Sequence, residues 1–307
     1  MLDSFLFERI GEGAQFEVFK NIEIPKVAKR VKLDLLQGTK GSSQRLGDIE
    51  LEIRALSDER VVRHPNIIQL IGWGYDTIFE SSRRPQDPDI QYPLVVPVLY
   101  VEPALKTLHE FLSADTPWNI RYRICLDIAA GLECLRNCDF LHNDLKPENI
   151  LIFRRDGECE TYVAKLADFG LAMTMRQEGL LFFEDYGKTR AWKPPESIDY
   201  CFEKHGVCSY DTLFRSESYA YGMVALYTLF SPNNQRRPLP FSRHQASRRQ
   251  EVLQQLADRD LYSENDQILC RKVWTSIEAN HLVERPQQRQ EISPLLFRAD
   301  GPDFEGW

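Results

Sequence analysis

The stretch His142-Asn143-Asp144-Leu145-Lys146-Pro147-Glu148-Asn149 constrains the fold of this chain more than any other feature. It follows a segment with helical periodicity, residues 121–137, and comes directly before the apolar run 150–152. A second short motif, Asp168-Phe169-Gly170, stands further along the chain. Either motif alone is typical of a polar surface turn, but a surface turn does not require both in this order. The pair therefore predicts a functional site on loops that a rigid scaffold positions.

The residue types in these motifs suit the transfer of a phosphoryl group. Such a transfer needs charge neutralised on the phosphates and a nucleophile held in line with them. Asp144 can accept the proton of an attacking hydroxyl, and Lys146 can offset the charge of the moving group. Asn149 and Asp168 offer the hard oxygen ligands that Mg²⁺ prefers.

Together the two motifs resemble the catalytic and metal-binding loops of the eukaryotic protein kinase family. The similarity covers roughly residues 5–286. It implies an α+β fold of two lobes: a small β-rich lobe with one main helix over residues 1–103, and a larger, mainly helical lobe over residues 104–307. It also implies ATP and Mg²⁺ as cofactors and a protein substrate. Asp144 would be the catalytic base, Lys146 a catalytic lysine, and Asn149 and Asp168 the metal ligands.

Local patterns agree with two unequal lobes. Alternating apolar residues predict strands over residues 6–10, 15–21, 26–33, 67–72 and 94–101. Residues 37–47 and 76–92, rich in turn-forming or polar residues, are expected to be loops. Helical spacing predicts one helix around Ile53 and another over residues 121–137. Residues 218–230 are apolar nearly all round, which predicts a buried helix.

Near the N-terminus, residues 11–18 resemble the family's glycine-rich hairpin, whose backbone amides cover the ATP phosphates. Gly11, Gly13 and Val18 match the family's positions, and glycine permits close approach of the backbone to a ligand. Phe16 stands at the third glycine position, a departure that can weaken the grip on the nucleotide.

The next strand, beginning Val27-Ala28-Lys29, resembles the family's lysine strand, which implies that Lys29 reaches the α and β phosphates. Residues two apart share a face of a strand, so Val27 would cover the adenine. Lys32 is the alternative. It would place Arg30 over the adenine, where an apolar residue is expected, so Lys29 is favoured.

The same resemblance assigns the remaining positions of the small lobe. Glu52, in the predicted helix, would be the partner of the lysine, with Glu50 as the alternative. The segment 98–108 resembles the hinge that binds adenine. Val101 would control the pocket there, while the backbone of Glu102 and Ala104 would bind the base. The register of this assignment stays open by one residue.

Pro194-Pro195-Glu196 resembles the end of the family's activation segment, and the family pattern implies that Arg285 is the ion-pair partner of Glu196. Thr189 is expected to contact the catalytic aspartate and lysine. Together with Lys146, it indicates Ser or Thr acceptors rather than Tyr.

Two further residues depart from the family pattern. Asn143 replaces the arginine that pairs with an activation-loop phosphate in many kinases, so a non-RD kinase is expected, one without that arginine's counter-charge. Glu217 stands where an aspartate normally anchors the catalytic loop, and a glutamate could do so only after a small shift. Neither position carries the chemistry, so activity is still expected.

Composition narrows the function further. A net charge of −8 and a pI of about 5.4 argue against nucleic acid as the main partner. No apolar run approaches the roughly 18 residues of a membrane span. Seven cysteines without C-x-x-C spacing suggest reduced thiols and an intracellular, cytoplasmic or nuclear location. The oligomeric state stays open.

Two other functions compete with an active protein kinase. A pseudokinase or scaffold would keep the fold without useful catalysis; the departures at positions 16, 143 and 217 favour it, and the retained catalytic residues oppose it. A small-molecule kinase of the aminoglycoside or choline type shares the H-x-D-x-x-x-x-N loop. Such enzymes usually lack D-F-G and P-P-E, both present in this chain.

Overall fold

The computed structural model describes residues 6–13, 16–32, 42–81, 91–113, 116–155, 161–174, 181–182, 189, 192–198, 207–230, 272, 275–277, 279–282 and 286–292. The chain divides into two compact units. The first unit contains Met1–Arg63 and Ile68–Ala104, and the second contains His64–Ile67 and Leu105–Trp307. The division therefore falls after Ala104, and a short segment from the first third of the sequence belongs to the second unit.

The first unit is built on a five-stranded antiparallel sheet with the strand order β1-β2-β3-β5-β4. Its strands are β1 (Phe7–Glu12), β2 (Phe16–Asn21), β3 (Val27–Val31), β4 (Leu70–Ser81) and β5 (Gln91–Val101). The last two strands extend well into the stretch 76–92, which the sequence predicted to be a loop. That prediction was wrong for residues 76–81 and 91–92, which pair across the two strands. The polarity of Asp76 was misleading because its buried carboxylate pairs with Arg30 at 3.0 Å.

Helix α1 (Ser42–Ser57) is the main helix of the first unit. Its first turns lie in the segment 37–47 that was predicted to be a loop, so residues 42–47 correct that prediction. The apolar stripe that marks the helix begins only at Ile49, which explains why the sequence pattern located its start too late. Ile49 packs in a core cluster with Phe16, Val31 and Leu99, which fixes the helix against the sheet.

In its described residues, the second unit combines helices with three small sheets. Its helices are α2 (Leu108–Phe111), α3 (Trp118–Asn137), α4 (Pro195–Ile198) and α5 (Tyr210–Phe230). Its strands are β6 (Lys106–Thr107), β7 (Phe140–Leu141), β8 (Ile150–Arg154), β9 (Tyr162–Leu166), β10 (Met173–Thr174), β11 (Leu181–Phe182) and β12 (Val207–Cys208). They form the sheets β6-β8-β9, β10-β7 and β11-β12.

Helices α3 and α5 form the core of the second unit. Every residue of α5 from Ser216 to Phe230 is buried, which confirms the prediction of a buried helix. The buried guanidinium of Arg121 in α3 donates to the carbonyl oxygens of Thr116 and Thr228, at 3.0 and 2.8 Å. Because a buried charge is costly without such partners, this network fixes the start of α3 against the end of α5. Within the described part of the chain, no helix is both long and apolar enough to cross a membrane.

Two loops of the second unit lie side by side on this core. The first joins β7 to β8 and holds residues 142–149, and the second joins β9 to β10 and holds Asp168-Phe169-Gly170. The antiparallel pairs β7–β10 and β8–β9 bring the loops together. Gly131 of α3 permits the backbone of Asn66 to approach the helix closely, because a Cβ at this position would lie 2.8 Å from the carbonyl oxygen of Asn66.

Candidate active site

Asp144 lies at the centre of the polar cluster in the second unit. Its Oδ2 accepts a hydrogen bond from Lys146 Nζ at 2.6 Å, and its Oδ1 accepts one from the Thr189 hydroxyl at 2.8 Å. Lys146 Nζ also donates to Thr189 Oγ1 at 3.2 Å. The three side chains therefore form a closed triangle, and Thr189 makes both of the contacts that the sequence predicts.

The electrostatics of this triangle keep Asp144 ionised. Burial alone would raise the pKa of its carboxyl group, but the hydrogen bond and positive charge of Lys146 and the Thr189 hydroxyl hold that pKa below its ordinary value. An ionised carboxylate that already accepts a hydrogen bond from one hydroxyl group can also accept one from the hydroxyl group of a substrate.

Asn149 and Asp168 lie on the two neighbouring loops. The Asn149 amide nitrogen donates to the carbonyl oxygen of Asp144 at 2.9 Å and to its Oδ2 at 3.2 Å. Since that nitrogen is turned toward Asp144, the oxygen of the planar amide is turned away from it. The Ala167 N–H donates to the Asn149 carbonyl at 2.9 Å, which ties the residue before Asp168 to this loop. Asp168 has φ 66°, a conformation that aspartate tolerates better than most residues.

His142 joins the same two loops from beneath. Its Nε2 lies 3.0 Å from the Ala167 carbonyl oxygen, which can only accept, so Nε2 carries the proton. Burial lowers the pKa of this imidazole and keeps it neutral, against the opposing effect of Asp144. Its ring packs on the fully buried Phe169, with the ring centroids 5.1 Å apart.

Glu217 of α5 anchors the backbone that leads into Asp144. Its Oε1 accepts the N–H groups of His142 and Asn143 at 2.8 and 3.0 Å. The longer glutamate thus makes the contact expected of an aspartate. Burial raises the pKa of the Glu217 carboxyl group to about 7, although the two backbone hydrogen bonds oppose that shift.

Asn143 occupies the position where the family pattern has an arginine. It has φ 64°, in the left-handed region that asparagine tolerates better than most residues. Its side-chain nitrogen donates to the Leu171 carbonyl oxygen at 2.8 Å. Asn143 therefore holds the chain directly after the Asp168-Phe169-Gly170 motif.

Trp192 fixes the segment that carries Thr189. The backbone N–H of Trp192 donates to the Thr189 carbonyl oxygen at 3.0 Å. The buried indole packs edge-on against Tyr227 of α5, with the centroids 5.6 Å apart, and the Tyr227 hydroxyl lies 2.7 Å from His109 Nδ1. No sequence motif named above predicts this anchor, although a tryptophan three residues after a candidate site threonine is a usable signal.

Glu196 forms its buried ion pair with Arg289, so the prediction of Arg285 was wrong. Arg289 donates to Oε1 at 2.6 Å and to Oε2 at 2.8 Å, and Ser216 adds a hydrogen bond to Oε1 at 2.7 Å. Such a bidentate pair satisfies both carboxylate oxygens. Arg285 itself lies outside the described residues.

In the first unit, Lys29 of β3 pairs with Glu52 of α1. The Nζ–Oε1 distance is 2.5 Å, and the glutamate is buried. The alternative lysine, Lys32, contacts the exposed Glu12 at 3.3 Å, and the alternative glutamate, Glu50, is exposed. The structure therefore brings together the two residues that the sequence favoured.

The strand register places the other candidate nucleotide positions on the same sheet face as Lys29. Val18 is opposite Lys29, and Val27 is opposite Val101. Because paired residues share a face and side chains alternate along a strand, these four residues point the same way. Arg30 points to the other face, where it binds Glu17 and Asp76.

The remaining candidates lie at the ends of strands. The Glu102 N–H donates to the Gln69 carbonyl at 3.2 Å, and its Oε1 accepts the Gln69 N–H at 2.8 Å, so this residue is held rigidly after β5. Ala104 is the last residue of the first unit. Among the described residues, an added Cβ at Gly11 or Gly13 meets nothing within 4 Å, so internal packing does not account for either glycine.

Phe16 is directed into the core instead of lining the glycine-rich turn. It is 3% exposed and belongs to the cluster under α1. Its ring also faces Lys29, with Nζ 4.4 Å from the ring centroid. In the sequence pattern Phe16 stands only as a missing glycine, and this contact was not predicted.

Comparison with known proteins agrees with this geometry. A family profile described as "Protein kinase domain" matches residues 6–293. A probable receptor-like protein kinase of Arabidopsis thaliana is 26% identical over 221 residues, which cover 71% of this chain and 43% of the relative. The probable serine/threonine-protein kinase PBL6 of the same plant is 29% identical over 222 residues, covering 71% of this chain and 45% of the relative.

A relative from another organism gives a similar result. The probable serine/threonine-protein kinase kinX of Dictyostelium discoideum is 24% identical over 243 residues, which cover 78% of this chain and 19% of that protein. The chain spans less than half the length of these three curated relatives.

Proposed function

Because this chain belongs to the protein kinase family, we propose that it transfers the γ-phosphoryl group of ATP to Ser or Thr hydroxyls of protein substrates. The observation that carries the proposal is the triangle of Asp144, Lys146 and Thr189, in which an ionised carboxylate accepts a hydrogen bond from a hydroxyl group at 2.8 Å. A substrate hydroxyl has the same donor chemistry as Thr189.

Asp144 takes the role of general base in this proposal. Its carboxylate orients the attacking hydroxyl and accepts the proton as the oxygen attacks. Lys146, 2.6 Å from that carboxylate, offsets negative charge that develops beside it. The buried contacts of Glu217 and Asn149 with the loop backbone hold Asp144 in place, so little rearrangement is needed for reaction.

The residues present fit a divalent metal. Asn149 and Asp168 provide an amide oxygen and a carboxylate on adjacent loops, and Mg²⁺ takes oxygen ligands from few side chains together with phosphate groups. A bound Mg²⁺ would supply positive charge that offsets the negative charge of the phosphates. Asn149 and Asp168 are the residues that would hold it.

Lys29 provides the phosphate contact of the first unit. Its ammonium group is fixed by the buried Glu52, so it is preorganised for the α and β phosphates of ATP. Val18, Val27 and Val101 supply apolar surface on the same sheet face for the adenine. The unexplained glycines at positions 11 and 13 suit a turn that a phosphate approaches closely.

The proposal of Ser or Thr acceptors rests on Lys146 and Thr189, whose contacts with Asp144 support it. The names of two of the relatives, which describe serine/threonine-protein kinases, point the same way. Phosphorylation of a peptide array by the purified chain with Mg²⁺ and labelled ATP tests this proposal. Label is expected on Ser and Thr peptides; label confined to Tyr peptides would refute the acceptor class, and no label at all would favour a pseudokinase.

A further inference from the structure

Phe16 stands at a position where the kinase family pattern has a glycine. It is the first residue of β2 and lies opposite Val31 of β3. Lys29 precedes Val31 by two positions, so it is the diagonal neighbour of Phe16 on the same sheet face. Diagonal neighbours in a sheet are within reach when one side chain is aromatic and the other is long.

The ring of Phe16 covers one side of the Lys29 ammonium group. The distance from Nζ to the ring centroid is 4.4 Å, within the range of a cation–π interaction. Glu52 binds the same ammonium group through Oε1. The lysine side chain is only 14% exposed, so both contacts act on a largely desolvated charge.

Phe16 also packs on the helix that supplies Glu52. Ile49 belongs to the same buried cluster, and Ile53 packs against it. These two residues precede and follow Glu52 on one side of α1. A single aromatic side chain therefore contacts the lysine and shares a buried cluster with the helical surface around its glutamate partner.

We propose that Phe16 is a positioning residue for phosphoryl transfer, whose ring holds Lys29 against Glu52 and joins the glycine-rich hairpin to helix α1. This inference rests on the proposed function of Lys29 as the phosphate-binding lysine. A glycine at position 16 has no atoms that could reach either partner. The residue that departs from the family glycine would therefore connect the lysine to the helix, and we call this role of Phe16 the clamp.

The effect of the clamp is expected on nucleotide use more than on folding. Phe16→Leu keeps an apolar side chain in the core and removes the aromatic face. The variant is expected to bind an ATP analogue with Mg²⁺ less tightly and to lose about tenfold or more in kcat/KM for ATP. Val96→Ala is the matched control, because Val96 is fully buried in the same sheet but lies opposite Asp76, the partner of Arg30 on the other face.

A double-mutant cycle separates positioning from general packing. If Phe16 acts through Lys29, Phe16→Leu should change the affinity for the ATP analogue by less than about twofold when Lys29 is already methionine. If Phe16→Leu does not fold, Phe16→Met, with a larger flexible side chain, takes its place in the cycle. Melting temperatures of all variants are measured alongside.

The outcomes distinguish this inference from the proposed function. Wild-type protein that binds the ATP analogue but transfers no phosphate refutes the proposed function, while the binding cycle still tests the clamp. The clamp is overturned if Phe16→Leu keeps wild-type affinity and kcat/KM. It is also overturned if Val96→Ala loses as much, or if the effect of Phe16→Leu is undiminished in the Lys29→Met background.

Discussion

The side chain of Glu217 accepts the backbone N–H of Asn143 at 3.0 Å, and the same oxygen accepts the N–H of His142 at 2.8 Å. Two residues that depart from the kinase pattern are therefore in direct contact. The glutamate reaches the loop backbone from α5, and the asparagine uses its own side chain to hold Leu171. The departures preserve the anchoring of the catalytic loop, which supports an active enzyme over a pseudokinase.

Glu217→Gln is predicted to change how stability depends on pH. Burial raises the pKa of Glu217 to about 7 from an ordinary value of 4.5, so the folded state takes up a proton that the unfolded state does not. The contribution of Glu217 to stability is therefore greatest at low pH and is lost as pH rises through 7. Glutamine does not titrate, so its advantage over glutamate should be larger at about pH 8 than at about pH 6.

Melting temperatures of the two proteins at both pH values provide the measurement. His142 and His281 also make stability depend on pH, because burial lowers the pKa of each in the folded state, that of His281 to about 4. Both histidines are present in wild type and variant, so their effects cancel in the difference. An equal difference at both pH values would contradict the raised pKa of Glu217.

The enzyme is predicted not to depend strongly on phosphorylation of its activation loop. Asn143 is neutral and cannot clamp a phosphate as arginine does. Its hydrogen bond to Leu171 instead holds the start of the loop without any added charge. Phosphatase treatment of the purified protein should leave kcat/KM within about tenfold, or about 1.4 kcal/mol of transition-state stabilisation. A larger drop that rephosphorylation of the loop reverses would refute this prediction.

The proximity of the candidate catalytic residues could be predicted from the sequence because one reaction would dictate their order and types. Asp144, Asn149 and Asp168 lie on adjacent loops, as two motifs at a fixed chain order implied. Contacts set by packing were harder to predict. Arg285 matched the expected local string, but the short 3-10 helix Pro286–Gln288 leads the chain to Arg289, which binds Glu196.

Phe16 and the strands β4 and β5 also show that contacts set by packing are hard to predict from sequence. The residue type at position 16 suggested a lost glycine, since a family pattern gives no information on where a new side chain packs. Strands β4 and β5 continue through polar residues, and the buried Asp76 of β4 is neutralised there by Arg30 of β3, on the other side of β5. That partnership depends on strand order, which local hydrophobic patterns do not contain.

Arg289→Met is predicted to destabilise the protein strongly. The change leaves the buried Glu196 carboxylate without its bidentate partner, and breaking a buried pair from one side costs about 3–5 kcal/mol. Chemical denaturation of wild type and variant gives the free energy of unfolding. Arg285→Met is the matched control and should cost less. The reverse order would restore Arg285 as the partner of Glu196.

Lys29→Met is predicted to reduce kcat/KM by at least about a hundredfold, which corresponds to about 2.7 kcal/mol. The lysine is fixed by a buried glutamate, which holds its ammonium group in place on the sheet face. Lys32→Met should have little effect, since among the described residues Lys32 forms an ion pair only with the exposed Glu12. Steady-state kinetics with varied ATP decide between them, and a loss confined to Lys32→Met would reassign the phosphate-binding lysine.

The most direct test of the central claim is incorporation of labelled phosphate from ATP into a Ser/Thr acceptor peptide by wild type and by Asp144→Asn. The asparagine keeps the shape of the side chain but loses the ionised carboxylate that accepts the hydroxyl proton. Wild type is predicted to label the peptide in the presence of Mg²⁺, and the variant, with a similar melting temperature, to lose about a thousandfold or more of that rate. Equal labelling by both proteins, or labelling by neither, would contradict the assignment of this chain as an active kinase with Asp144 as its base.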